Sequence, residues 1–127
     1  MIAADTSTWV AFFHGGQGSD VEVLDRALRD RQVLMPPVVL TEILSDHKLP
    51  ADVSQSLLQL PVIEIEHGCW QRAGELRARV LARRRKARLG DALIAQSCLD
   101  RGIVLLTRDR DFRAFAESAG LDLTAEP

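Results

Sequence analysis

Apolar residues in this chain follow two alternating patterns. Short apolar runs occupy Ile2–Ala4, Val33–Met35, Val62–Ile65, Ile103–Leu106 and Leu121–Leu123. Between them lie helix-length segments whose apolar residues recur at i, i+3 and i+4, the spacing of one helix face. Parallel strands need long crossovers, and these are usually helical. The alternation therefore predicts an α/β fold in which helices cover both faces of a parallel sheet. Pro36-Pro37 falls between the second run and a helix expected over Val38–Asp46, where the fixed φ of proline suits a first turn. Pro50 and Pro61 punctuate the chain in the same way. The segment His14–Gly18 is rich in glycine but lacks a Gly-Lys-Ser/Thr ending, so it reads as a flexible loop without a phosphate-binding role. Thr124–Pro127 reads as a frayed tail.

Length and composition narrow the picture. At 127 residues, 46% hydrophobic and 27% charged, the chain matches one ordinary globular domain spanning 1–127. The opening Met1-Ile2-Ala3-Ala4-Asp5 lacks the build of a secretory signal, and no apolar run is long enough to cross a bilayer. Cys69 and Cys98 sit in apolar-periodic segments and are expected to be reduced and buried, which points to the cytoplasm. The net charge of −2 hides an asymmetry. Arg72, Arg77, Arg79, Arg83, Arg84, Arg85, Lys86 and Arg88 are eight of the 16 basic residues, with Glu75 the one acid among them. Such a stretch reads either as a solvated helix face or as a contact for phosphates, with Arg83, Arg84, Arg85 and Lys86 as its densest part.

Candidate chemistry lies with the acids. Ligands of open parallel sheets bind beyond the carboxyl ends of the strands. Asp5 ends the first run and Asp109 follows the Ile103–Leu106 run, although Asp5 before a helix also reads as a cap. Glu42 projects within the apolar arc of its helix, between Val38 and Val39, where a carboxylate wants a partner; the plain alternative is an acid at the core edge reaching solvent. Asp91 heads the stripe Asp91, Ile94, Ala95, Cys98. Following Gly90, it reads equally as the N-cap of a helix starting there. Four acids at one sheet edge repel one another unless a cation neutralises them. Mg²⁺ or Mn²⁺ suits carboxylates, whereas His14, His47 and His67 have no zinc-ligand spacing and are expected at the surface. Such a cation supports phosphodiester hydrolysis.

Together, Asp5-Thr6-Ser7, Thr41-Glu42, Gly90-Asp91-Ala92-Leu93-Ile94-Ala95 and Leu105-Leu106-Thr107-Arg108-Asp109-Arg110-Asp111-Phe112 resemble the PIN-domain pattern of VapC-type toxins, over essentially the whole chain. The resemblance implies a three-layer α/β/α domain with a five-stranded parallel sheet and an Mg²⁺- or Mn²⁺-dependent endoribonuclease site. By that likeness Asp5, Glu42, Asp91 and Asp109 form an acidic quartet, with Asp5 and Asp91 as direct metal ligands. Glu42 ligates or orients the attacking water, and Asp109 completes the site. Asp111 is a further acid, and Thr107 and Ser7 are hydrogen-bond donors behind the ligands. An RNA substrate, a cognate antitoxin and a homodimer are implied by analogy. A haloacid-dehalogenase-type enzyme is disfavoured, because Ser7 stands where its second Asp is needed. A catalytically inactive PIN-like module that binds RNA or antitoxin, and a nuclease acting on DNA, are the alternatives.

Overall fold

The computed structural model describes residues 1–124; most of the expected frayed tail lies outside them. Strand β1 (Ile2–Ala4) leads into helices α1 (Thr6–Phe13), α2 (Ser19–Arg29), α3 (Pro37–Leu44), α4 (Ala51–Leu57), α5 (Cys69–Ala82) and α6 (Leu89–Arg101). Strand β2 (Val104–Leu106), a 3-10 turn (Arg110–Phe112) and α7 (Arg113–Ala119) complete the order. Strands β1 and β2 pair in parallel, Ile2 opposite Val104, Ala3 opposite Leu105 and Ala4 opposite Leu106. The chain is thus α/β, with its first element beside one of its last.

Of the five segments expected to form the sheet, two build a ladder among the described residues. The others lie alongside with less pairing. Val33 bridges Ile2 and Val62 bridges Met35, both in parallel, and Leu105 N–H donates to the Asp122 carbonyl at 2.9 Å. Proline explains part of this. Pro36 follows Met35 directly and Pro61 precedes Val62, and neither has an N–H to extend a ladder. Pro61 instead accepts from Met35 N–H through its carbonyl at 2.8 Å.

Apolar residues on the helices close over this small sheet. Leu24, Met35, Val39, Leu76, Val80, Ile94, Leu105, Phe112 and Phe115 are all essentially inaccessible. Burying a side chain of this size stabilises by about 1.5–3 kcal/mol. Helix α6 packs against α3, α5, α7 and β2, and seven of its residues, Asp91, Ala92, Ile94, Ala95, Gln96, Ser97 and Cys98, are buried. Small residues make such close packing on several sides possible. Both cysteines are free and buried, and His14, His47 and His67 are exposed, as expected. Helix α3 begins one residue before the expected Val38, with Pro36 at its N-cap and Pro37 in its first turn, and ends two residues before Asp46. Among the described residues no helix is long and apolar enough to cross a membrane.

Candidate metal centre

The carboxyl ends of β1 and β2 deliver two acidic segments side by side, because the parallel register aligns Ala4 with Leu106 and Asp5 N–H continues the pairing to the Leu106 carbonyl at 3.0 Å. Asp5 is the N-cap of α1, its Oδ1 accepting from Thr8 N–H at 3.2 Å. It does more than cap. Ser7 Oγ donates to Oδ1 at 2.7 Å and Thr107 Oγ1 donates to Oδ2 at 2.8 Å. Both hydroxyls also accept from the opposite loop or its own continuation: Ser7 Oγ from Arg108 N–H at 3.2 Å, Thr107 Oγ1 from Asp109 N–H at 2.9 Å. Asp5 is therefore tied at both oxygens, and the loop after β2 is tied to Asp5. Asp109 Oδ1 in turn accepts from Asp111 N–H at 2.9 Å, which closes the 3-10 turn.

Asp91 arrives from α6. That helix begins at Leu89 with Arg88 at the N-cap, and no side chain caps it, so the expected N-cap role of Asp91 is overturned: the residue sits inside the first turn. Its Oδ2 is buried and has no hydrogen-bond partner. Carboxylate oxygens of Asp91, Asp109 and Asp111 lie within 4.8 Å of one another, so Asp111, the least expected acid, belongs to the tightest group. Asp5 is near enough for its charge to act on Asp91 and for that of Asp109 to act on it. Burial first, then the charge of Asp109, pushes Asp91 up to about 6; Arg88 opposes this, and Glu42 and Asp5 add to it. Burial also raises Asp5, against the hydrogen bonds from Ser7, Thr107 and Thr8.

Glu42 does not lie within the apolar arc of its helix. Val39 and Ile43 are buried, whereas Glu42 is exposed at the edge of that face. Thr6 Oγ1 donates to its Oε1 at 2.8 Å, a partner that the position of Thr6 next to Asp5 could have signalled. Its Oε2 lies 3.8 Å from where a Cβ on Gly90 would stand, so Glu42 faces the start of α6 close to Asp91.

The basic stretch is not one solvated helix face, since α5 ends at Ala82 and Arg83–Arg88 form the connection to α6. Arg83 donates to Ser118 Oγ at 3.1 Å and Arg85 to Glu117 at 2.6 Å, both on α7. Lys86 and Arg88 instead face the acids, Nζ at 3.6 Å from Asp111 Oδ2 and Nη1 at 3.8 Å from Asp109 Oδ2. Sequence reasoning did not single out Arg88. It also missed Asp20, which holds Arg108 by two hydrogen bonds, at 2.7 and 2.9 Å, and so pins the loop after β2 to α2. No local pattern signals that pair.

An all-carboxylate donor set with one buried, unpartnered oxygen fits a hard divalent cation such as Mg²⁺ or Mn²⁺. A family model described as PIN domain matches residues 2–118. No curated protein matches the chain.

Proposed function

Because this chain belongs to the PIN domain family, we propose that it is a metal-dependent endoribonuclease, the toxin of a VapBC-type toxin–antitoxin pair, acting as a single nuclease domain in the cytoplasm. The observation that carries the nuclease reading is Asp91, whose Oδ2 is buried without a partner and whose carboxylate clusters with those of Asp109 and Asp111. A lone buried carboxylate oxygen is costly, and a cation is the partner that would offset the cost. In this reading Asp91, Asp109 and Asp111 hold Mg²⁺ or Mn²⁺, with Asp5 beside them and Glu42 at the margin. When bound, such a cation lowers the pKa of water and stabilises charge on a phosphoryl oxygen.

The protein's own groups do the rest. Ser7 and Thr107 donate to Asp5 and keep its oxygens oriented. Thr6 holds one oxygen of Glu42, and the exposed second oxygen takes a proton from the attacking water. RNA as substrate, an antitoxin partner and a homodimer follow from the likeness to VapC-type toxins and extend the proposal.

The test is cleavage of single-stranded RNA and of the same sequence as DNA, with Mg²⁺ or Mn²⁺ and then with a chelator. RNA cleavage that stops on chelation and returns with metal is expected. Undiminished cleavage after exhaustive chelation overturns the metal mechanism, and preferential cleavage of DNA overturns the substrate. A short gene for a DNA-binding protein immediately upstream is expected for the toxin role; its absence counts against it.

A further inference from the structure

We propose that Lys86 and Arg88 are exchangeable counter-ions: they neutralise the acid cluster before metal binds and hold the phosphate backbone of the substrate once it has. The inference rests on the nuclease reading above. Residues 85–88 lie between the turn that ends α5 and the start of α6, with Arg88 in an extended conformation. Ala87 is buried and Arg77 Nε donates to its carbonyl at 2.8 Å, which anchors the segment. Arg85 goes to Glu117 on α7, while Lys86 and Arg88, on either side of the anchor, both reach the acids.

Their contacts are of a different kind from the other arginine pairs. Arg72 grips Asp100 at 2.7 Å and Arg108 grips Asp20 at 2.7 Å, each with two hydrogen bonds. Lys86 and Arg88 stand at 3.6 and 3.8 Å, the two longest ion pairs among the described residues, and make no hydrogen bond there. Each side chain is 57% exposed. An exposed pair at that distance contributes little and breaks easily. A divalent cation among Asp91, Asp109 and Asp111 offsets two of the three negative charges that attract Lys86 and Arg88 and so weakens both pairs. Two long cationic side chains are then released at the rim of the site that receives a phosphodiester. Arg83 and Arg85 are not released, because their partners on α7 belong to no metal site.

The exchange makes two predictions of opposite sign for the double variant Lys86→Gln/Arg88→Gln. Without RNA, Mn²⁺ affinity, read from free Mn²⁺ by electron paramagnetic resonance, is expected to rise by roughly 1.5- to 5-fold per cation removed. With saturating Mn²⁺, affinity for a non-cleavable 2′-O-methyl RNA, read by fluorescence anisotropy, is expected to fall roughly tenfold. The slope of its logarithm against that of salt is expected to flatten by about 0.7 per lost phosphate contact. An unchanged or weaker Mn²⁺ affinity overturns the exchange. An unchanged RNA affinity and salt slope, or an equal loss in Arg83→Gln/Arg85→Gln, overturns the phosphate role while the nuclease reading stands. Wild-type protein that binds Mn²⁺ but no RNA overturns that reading and the inference with it.

Discussion

At the scale of single residues, Asp91 is where ligand and fold are most sharply opposed. Its carboxyl is pushed from 3.8 up to about 6, mainly by burial and by Asp109, so the metal-free folded state holds this proton more tightly than the unfolded chain does. A group with a raised folded value stabilises fully below its unfolded value, and that contribution is lost as pH rises through the folded one. Metal-free wild type is therefore expected to lose on the order of 2–3 kcal/mol from this residue between about pH 4 and pH 6. Asp91→Asn has no such proton, so the difference in denaturant stability between the two proteins should vary over that interval and level off above it. At pH 7 the metal-free variant should melt no lower than wild type, and it should lose both cleavage and the metal-induced thermal shift. A difference independent of pH would show that the acid is not held against its charge. The burial of Asp91 was legible from its place in the stripe with Ile94, Ala95 and Cys98. That it is no cap was not, because a helix start depends on where the preceding turn leads the chain.

At the scale of elements, α6 carries the site and the two glycines near its ends bracket it. Gly90 lies in the first helical turn, and a Cβ there would meet Val38 Cγ1 at 3.7 Å and Glu42 Oε2 at 3.8 Å, ordinary contact distances. Gly90→Ala is expected to stabilise by up to about 1 kcal/mol through helix propensity. Gly102, at the other end, has φ 62°, in the left-handed region that a side chain disfavours. Gly102→Ala is expected to destabilise by about 1 kcal/mol. Urea midpoints of the two variants moving in the same direction would contradict this account of the helix boundaries. Strands β1 and β2 were readable as apolar runs, as were the prolines that start α3. The same reading gave three further strands because period and composition cannot reveal how many ladder bonds a neighbour makes, and Pro36 and Pro61 lack the donors to extend them.

At the scale of the whole molecule, the loop after β2 is fastened to α1 through Ser7 and Thr107 and to α2 through Arg108 and Asp20, so the site is joined to elements far apart in sequence. A single nuclease domain should accordingly unfold in one calorimetric transition. Mn²⁺ at about 100 times its dissociation constant should add roughly 2.7 kcal/mol, which for a chain of this size raises the midpoint by roughly 10 °C. Two resolved transitions, or a metal shift affecting part of the melt alone, would count against one domain built around one site.

Residue order by itself determined the alternation of apolar runs and helical stripes, the acids at the ends of the first and fourth runs, and the conflict of a carboxylate on the buried face of α6. These are local properties, set by periodicity and by the chemistry of each side chain. The tertiary structure alone decided which acids come within reach of one another. Parallel pairing of residues about a hundred positions apart brings Asp5 beside Thr107, and the packing of α6 brings Asp91 to Asp109 and Asp111. It also turned Glu42 out to solvent, where Thr6 holds it, and divided the basic stretch, sending Arg83 and Arg85 to α7 and Lys86 and Arg88 to the acids. A charge run carries no record of direction, because the direction of each side chain is set by the backbone turn after α5 and by what the folded chain places opposite it.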